Sequence, residues 1–142
     1  MTETPPSGFS PHFRQSKFTD PWEPLYSQTE DDQVRIGVIL RDVHCNSREF
    51  VHGGFIASIA DNAMGLSCIA VMNSQTRAST GLITVSLSTD YVGAAKVGAW
   101  LQTDTTVLKI GGSLCFANCL ITSGKEIVAR ASATFKIVGK AK

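Results

Sequence analysis

Hydrophobic and polar residues follow two different periods along the first half of the chain. Residues 33–41 alternate between apolar and other residues, which is the period-2 pattern of a β-strand. Residues 53–76 instead form a long run with frequent small residues, in which Asp61 is the single charged side chain. Such a run is long enough for a membrane helix. Because a carboxylate at its centre is costly in lipid, we interpret it as a core helix that protein surrounds on nearly all sides.

Strand patterns return after residue 77 and continue to the end of the chain. Residues 83–91 alternate between apolar and polar positions, which predicts a strand with one buried face. Further strands are predicted over residues 97–110, 113–122 and 126–138, and the Gly111-Gly112 connection is of a kind that uses positive φ angles. The last strand is predicted to bury Ile127, Ala129, Ala131, Ala133, Phe135 and Ile137.

The order of these elements predicts the fold class. One strand, one long buried helix and a four-strand antiparallel meander fit an α+β architecture, in which an antiparallel β-sheet wraps around one long central α-helix. Residues 1–30 hold all five prolines and are predicted to be an irregular lead-in with at most one short helix, while residues 31–142 form a single domain. The aromatic residues of the lead-in are expected to pack against the sheet, or alternatively to cap a pocket: Phe9, Phe13, Phe18, Trp22 and Tyr26.

Composition limits which binding partners and which cellular compartment are expected. A chain of 142 residues fits one domain, and 13 Lys and Arg against 12 Asp and Glu give a net charge of +1. A nucleic-acid binder carries a strong basic excess, so neither nucleic acid nor a membrane is expected as a partner. The four cysteines form no C-x-x-C pair and are interpreted as small buried hydrophobes. Residues 1–10 lack the order of a signal peptide, and we expect a cytoplasmic protein.

The candidate chemistry lies around the start of the predicted helix. Gly53 and Gly54 allow a ligand to approach backbone N–H groups that, with the helix dipole, stabilise an oxyanion or a phosphate; ordinary packing is the alternative. Asp61 lies two turns into the helix and is a candidate base or nucleophile, unless it is exposed or structurally hydrogen-bonded. Asn46 could donate its amide to an oxyanion or be a turn residue, and His52 could be catalytic or structural.

The length of the helix constrains how these residues act together. From Gly53 to Asp61 the helix advances eight residues, about 12 Å along its axis. A carboxylate at that distance does not readily reach a carbonyl bound at its own Gly53. Either the two features are unrelated, or a site combines Gly53 of one chain with Asp61 of another, which a two-fold dimer does at two equivalent sites.

The segment from Asn46 through HGGFIASIADNAMG resembles the signature of a family of hotdog-fold enzymes. These are the thioesterases of the PaaI-like, phenylacetate-degradation branch of the 4-hydroxybenzoyl-CoA thioesterase superfamily. Residues 84–95 and 107–138 support the resemblance, which covers roughly residues 33–138. It implies a hotdog fold and a homo-oligomer, a dimer or a dimer of dimers, with the active site at the subunit interface.

The same resemblance implies roles for the residues of the segment. The N–H of Gly53 would polarise a thioester carbonyl with help from the Asn46 amide, and Gly54 would contact the substrate. Asp61, from the partner subunit, would activate or orient a water molecule or attack directly. His52 would hold the loop that carries Asn46.

Two further positions follow from the resemblance. A hydroxyl after the helix often assists the water, and Thr84 is the best match, ahead of Ser79 and Thr80. Relatives carry a basic cluster for the coenzyme A phosphates, of which only Lys109 remains here. Other candidate cations for these phosphates are Lys96, Arg77 and Arg130.

Together these observations favour an acyl-CoA thioesterase. Its chemistry needs no metal and no cofactor, because a carboxylate and an oxyanion hole suffice and coenzyme A enters only as part of the substrate. The alternative is a hotdog module that binds an acyl thioester without cleaving it. A hotdog hydratase is disfavoured, because the chain has no Asp-x-x-x-x-His pair of the kind those enzymes carry.

Overall fold

A computed structural model describes residues 4–77 and 81–139 of the chain. The helix α1 spans Gly53–Ser74, and short 3₁₀ helices cover Asp20–Trp22 and Asp42–His44. One antiparallel sheet has the strand order β1-β2-β3-β5-β6-β7-β4. The strands are β1 (Ser10–Pro11), β2 (Tyr26–Thr29), β3 (Val34–Ile39), β4 (Gly81–Tyr91), β5 (Trp100–Ile110), β6 (Leu114–Ser123) and β7 (Glu126–Val138).

The helix α1 forms the centre of the core. It is long and apolar enough to cross a membrane by length and composition, but 56% of its apolar window is buried inside the protein. Each fully buried Ile or Met side chain contributes roughly 1.5–3 kcal/mol to folding. The predicted α+β fold, an antiparallel sheet wrapped around one long helix, is therefore confirmed. The helix residues buried against the sheet include Phe55, Ile56, Ile59, Met64, Cys68 and Met72.

The prediction of a four-strand meander is wrong in its first strand. β5, β6 and β7 are neighbours in chain order, but β4 pairs with β7 at the edge of the sheet, and β3 pairs with β5. Three apolar residues of β3 are almost completely buried, at 2% for Val34, 1% for Ile36 and 0% for Val38. A strand buried to this degree needs hydrogen-bond partners on both sides. β3 therefore occupies the position beside β5 that β4 would have in a meander.

The predicted buried face of β4 is also wrong, and a β-bulge explains why. The register with β7 shifts between Thr84 and Ser86, so the inward-facing positions change from even to odd residues along the strand. Thr84 faces the helix side together with its partner Phe135, whereas Ile83 faces away and is 53% exposed. Leu87 does face inward, but it remains 39% exposed at this edge of the sheet.

Two smaller predictions fail for local reasons. Ile127 is 48% exposed, because a register shift at Ile121 and Thr122 of β6 makes Val128 the first buried residue of β7. Neither Gly111 nor Gly112 adopts a positive φ. A Cβ atom at Gly111 would instead lie 2.9 Å from the carbonyl oxygen of Leu114, so close approach of the backbone explains this glycine.

The described part of the lead-in is more regular than predicted. β1 pairs with β2 and β2 pairs with β3, so that residues 10–29 extend the sheet instead of forming an irregular arm. The ring of Trp22 lies 5.0 Å from that of Phe55 on the helix, and the ring of Phe9 lies 5.0 Å from that of Trp100 on β5. Packing against the body of the protein is thus the role of Trp22 and Phe9, while Phe13 and Phe18 stay 59% and 65% exposed.

The four cysteines are free thiols in this fold. Cys68, Cys115 and Cys119 are buried, and Cys45 is half-buried. Burial raises the pKa of Cys68 to about 12 and that of Cys119 to about 11, so both remain neutral thiols at physiological pH. They pack as small hydrophobic side chains, as the sequence predicts.

Candidate active site

The peptide group between Gly53 and Gly54, the first of α1, is hydrogen-bonded through both its N–H and its carbonyl oxygen. His52 is the N-cap residue, and its Nδ1 accepts a hydrogen bond of 2.8 Å from the N–H of Gly54. The hydroxyl of Tyr91, at the end of β4, donates to the carbonyl oxygen of Gly53 at 2.7 Å. Among the described residues no acceptor is recorded for the N–H of Gly53. This N–H lies at the positive end of the helix dipole, where an oxyanion is stabilised.

Close packing explains why glycine occupies both positions. A Cβ atom on Gly53 would lie 3.1 Å from Cζ of Tyr91, and one on Gly54 would lie 3.1 Å from Nδ1 of His52. The predicted substrate contact at Gly54 is not open in this structure, because its N–H is already bonded to His52. Tyr91 was not anticipated, since it follows Gly53 by 38 residues and no local pattern links the two.

Asn46 is both a turn residue and a candidate donor. Its Oδ1 accepts hydrogen bonds from the backbone N–H of Arg48 at 2.9 Å and of Phe50 at 3.3 Å. Two donating amides fix the oxygen of the carboxamide inside the loop. The NH₂ group is therefore the end of this exposed side chain that can donate to a ligand.

The loop that carries Asn46 is supported by His44, a residue that no sequence pattern singles out. His44 is buried, its carbonyl oxygen accepts from the N–H of His52, and its Nδ1 accepts from the N–H of Arg41 at 2.9 Å. Its Nε2 therefore carries the proton and donates to the carbonyl oxygen of Trp22 at 2.9 Å. Burial lowers the pKa of His44, with a smaller contribution from Arg41. The hydrogen bond recorded for the imidazole of His52 within the described residues is to the helix start.

Asp61 and Thr84 form the second half of the candidate site. The hydroxyl of Thr84 donates a hydrogen bond of 2.6 Å to Oδ1 of Asp61, which is half-buried on the open side of α1. The bulge after Thr84 is what turns this side chain toward the helix. The structure thus brings together the carboxylate and the hydroxyl that the sequence analysis selected. The weaker candidates Ser79 and Thr80 lie outside the described residues.

A cavity of about 430 Å³ opens beside Asp61 and Thr84. Its walls come from α1, from β4 and β7, and from residues 12–19 of the lead-in. Gly53 and Lys109 are not among its lining residues. Lys109 is exposed on β5, and Arg130 forms an ion pair of 2.9 Å with Asp90 on the outer face of the sheet.

Lys96 and the possible metal-ligand groups complete the description of the site. Lys96 lies 5.4 Å from the ring of Phe50, next to the loop that carries Asn46. Within residues 4–77 and 81–139, no group of three or more His, Cys, Asp or Glu side chains is arranged to hold a metal ion. The arrangement is that of a carboxylate, a hydroxyl and free N–H donors, which is chemistry suited to acyl transfer.

The model of the family described as the thioesterase superfamily matches residues 49–130. The chain belongs to the thioesterase superfamily. It is 35% identical over 134 residues to the Pseudomonas aeruginosa protein named "Putative esterase PA0474", a match that covers 93% of this chain and 96% of that relative. Thioester hydrolysis is the activity that this family membership supports.

Two solved structures share the fold of this thioesterase superfamily member. A Streptococcus mutans protein bound to acetyl CoA, smu.793, has a TM-score of 0.75 at 24% identity, covering 92% of this chain and 98% of its own. A mutant of the phenylacetic acid degradation protein PaaI from Thermus thermophilus has a TM-score of 0.74 at 17% identity, covering 87% of this chain and 100% of its own. The predicted hotdog fold is thereby confirmed.

Proposed function

We propose that this thioesterase superfamily member is a cytoplasmic acyl-CoA thioesterase that hydrolyses a thioester to a free acid and coenzyme A. The observation that carries the proposal is the hydrogen bond of 2.6 Å between Thr84 and Asp61 at the cavity beside α1. A carboxylate held by a hydroxyl next to a cavity is placed to act on a water molecule. An acyl-CoA substrate is in keeping with the acetyl CoA bound to the S. mutans neighbour.

In the proposed reaction, the start of α1 stabilises the oxyanion and Asp61 activates the water molecule. The N–H of Gly53 and the NH₂ of Asn46 stabilise the negative charge that develops on the thioester oxygen. Asp61 takes a proton from a water molecule while the water oxygen attacks the carbonyl carbon. The tetrahedral intermediate then collapses, the C–S bond breaks, and the thiolate of coenzyme A leaves and takes up a proton. No metal or redox cofactor enters this sequence.

Direct attack by Asp61 is the alternative first step. In that case a carboxylate oxygen forms a mixed anhydride with the acyl group, and the coenzyme A thiolate leaves. Water then hydrolyses the anhydride to release the acid and restore Asp61. Both sequences use the same residues and give the same products.

A homodimer supplies the geometry that one chain lacks. Gly53 and Asp61 are separated by about 12 Å along a single helix, so one chain does not bring them to one carbonyl. β4 is an edge strand with Val85 54% exposed and Leu87 39% exposed, which is a surface that proteins normally cover. Antiparallel pairing of β4 with its copy in a two-fold dimer covers it.

The same pairing would bring the two half-sites together. On β4, Thr84 lies beside Asp61, and Tyr91 lies beside Gly53. If Thr84 lies opposite Tyr91 of the partner subunit, each carboxylate approaches the helix start of the other chain across one strand spacing, about 5 Å. A dimer therefore holds two equivalent composite sites, and a dimer of dimers would hold four.

The test is thiol release from a panel of aromatic, short and long acyl-CoAs, followed with a thiol reagent. Asp61→Asn keeps the shape of the side chain and should lower kcat by about 10³-fold, as expected for loss of a general base. Asp32→Asn, an exposed carboxylate in the turn before β3, is the matched control and should stay within about twofold of the parent.

Two outcomes would contradict the proposal. Undiminished hydrolysis by Asp61→Asn would remove Asp61 from the reaction. Binding of acyl-CoAs without any thiol release across the panel would instead identify a non-catalytic acyl-thioester-binding module.

A further inference from the structure

The hydroxyl of Tyr91 keeps hydrogen-bonding capacity beside the helix start. It donates to the carbonyl oxygen of Gly53 at 2.7 Å, and no donor to its own oxygen is recorded among the described residues. A phenol oxygen that donates one hydrogen bond can still accept another. Tyr91 is 51% exposed, so a ligand at the helix start has access to this oxygen. The side chain therefore presents a fixed acceptor to the candidate site.

The other two polar side chains of the helix start present donors instead. Nδ1 of His52 already accepts from the N–H of Gly54, so that in the neutral imidazole Nε2 carries the proton. Oδ1 of Asn46 accepts from two backbone N–H groups, which leaves its NH₂ for a ligand. Of these three side chains, Tyr91 is the one that can receive an N–H from a ligand.

The Tyr91 oxygen also lies close to the proposed donor for the oxyanion. A Cβ atom on Gly53 would lie 3.3 Å from this oxygen. Because a Cβ atom is about 2.5 Å from the amide nitrogen of its own residue, the nitrogen of Gly53 and the oxygen of Tyr91 are at most about 6 Å apart. A ligand bound to the N–H of Gly53 is thus within reach of Tyr91.

The thiol half of an acyl-CoA carries a matching N–H near its reacting carbonyl. Two methylene groups separate the sulfur from the first amide of the pantetheine arm. The amide nitrogen is therefore five bonds from the thioester oxygen, a span of up to about 6 Å with bonds of about 1.5 Å. When the thioester oxygen lies about 2.9 Å from the nitrogen of Gly53, this span allows the amide to contact the oxygen of Tyr91.

We propose that the hydroxyl of Tyr91 accepts a hydrogen bond from the first amide N–H of the pantetheine arm while it donates to Gly53. Tyr91 thereby recognises the thiol half of the substrate, and the ligand class is thioesters of N-acylated cysteamine. This inference rests on the proposed thioesterase activity, with the N–H of Gly53 bound to the thioester oxygen. The amide does not change during the reaction, so the contact stabilises the bound substrate and the transition state equally.

The test compares two thioesters that share the acyl group of the acyl-CoA bound most tightly by the protein. One is the N-acetylcysteamine thioester, and the other is its S-(2-acetoxyethyl) isostere, in which an oxygen atom replaces the N–H. In the wild-type protein, kcat/KM should be about fivefold higher for the N-acetylcysteamine thioester, equivalent to one hydrogen bond of about 1 kcal/mol. Tyr91→Phe should lower this ratio by about fivefold, mainly through KM of the N-acetylcysteamine thioester.

The change in the ratio isolates the contact to the amide. Any difference in intrinsic reactivity between the two thioesters is the same in both proteins and cancels. Tyr26→Phe is the matched control, because it removes the hydroxyl of the other tyrosine of the chain, which lies on β2. Its ratio should equal that of the wild-type protein within about twofold.

An unchanged ratio in Tyr91→Phe would overturn the inference. If both rates also stay the same, the hydroxyl has no part in the reaction. If kcat falls equally for the two thioesters, Tyr91 acts by positioning Gly53 through its carbonyl oxygen and does not contact the substrate amide.

Calorimetry on Asp61→Asn separates this inference from the proposed function. Suppose that the wild-type protein hydrolyses neither thioester, but that Asp61→Asn binds the N-acetylcysteamine thioester about fivefold more tightly than the isostere. If adding Tyr91→Phe removes this difference, the thioesterase proposal fails and the Tyr91 contact stands. If both thioesters are hydrolysed and Tyr91→Phe leaves their ratio unchanged, the activity stands and the contact is rejected.

Discussion

The two halves of the candidate site differ in how firmly they are held. At the start of α1, His52 and Tyr91 fix both ends of the Gly53–Gly54 peptide, and Asn46 is anchored by its own loop. At Asp61, the hydrogen bond from Thr84 is the one recorded among the described residues, and it holds the carboxylate beside an open cavity. The donors for an oxyanion are thus arranged before substrate arrives, while the carboxylate retains room for water and an acyl group.

Strand β4 is what connects these two halves. Its Tyr91 contacts the helix start and its Thr84 contacts Asp61, and the bulge between Thr84 and Ser86 is required for both to face inward. One edge strand therefore determines the geometry of both halves: the firmly held start of α1 at Gly53, called the rigid half, and the carboxylate of Asp61 beside the cavity, called the open half. The following variants act on one half at a time.

After loss of the Asp61 carboxylate itself, the largest effect is expected at the rigid half. Gly53→Ala would place a methyl group 3.1 Å from the ring of Tyr91, which must displace either the hydroxyl or the helix start. A shift of a few tenths of an ångström to about 1 Å in the donor should lower kcat by about 100-fold. Gly112→Ala, where an added Cβ meets nothing within 4 Å, is the control and should leave thiol release unchanged within about twofold. Equal rates for the two variants would show that Gly53 is not a donor to the reaction.

A smaller effect is expected at the open half. Thr84→Val keeps the volume of the side chain but removes the donor to Asp61, and kcat should fall by about tenfold, the value of one hydrogen bond to a charged group. Thr84→Ser retains the hydroxyl and should recover most of the rate. Full activity of Thr84→Val, or equal losses in both variants, would contradict a positioning role for Thr84.

The smallest effect is a pH dependence of stability that originates at two buried histidines, His44 at the rigid half and His12 in the wall of the cavity beside Asp61. Burial lowers the pKa of His44 and of His12 below the ordinary 6.5, so the unfolded chain binds more protons than the folded one as the pH falls below about 6.5. Their contribution to stability is complete above that pH and is lost as the pH decreases toward the folded values. Thermal unfolding should show a constant Tm above about pH 7 and a decrease below about pH 6.5.

Each histidine accounts for at most about 1.4 kcal/mol per pH unit of this decrease. His12→Asn should reduce the slope and leave the part that His44 contributes. A Tm that stays constant from about pH 8 to about pH 5 in the wild-type protein would rule out this account of the two histidines.

The sequence predicts the parts of the site that depend on local pattern. The uncharged run from residue 53 makes Asp61 conspicuous, and the Gly-Gly pair after His52 indicates a helix start. The sequence pattern also predicts helix and strand boundaries closely. For β7, the predicted residues 126–138 match Glu126–Val138.

The remaining parts depend on contacts between distant segments. The position of β4 beside β7 results from the competition of β3 for the place next to β5, which no single strand pattern contains. Tyr91 reaches Gly53, and residues 12–19 reach the cavity beside Asp61, only because the sheet curls around α1. The bulge that turns Thr84 inward is a property of its pairing with β7 and leaves no mark in the alternation of residues.

The central claim is that each site uses the helix start of one chain and Asp61 of the other. Asn46→Ala and Asp61→Asn, each inactive alone, should be mixed in equal amounts, allowed to exchange subunits, and assayed for thiol release. In the composite arrangement each heterodimer has one intact site, so that random exchange restores about a quarter of the wild-type activity. No recovery after exchange has been verified by mass would contradict the claim and place both residues in the site of a single chain.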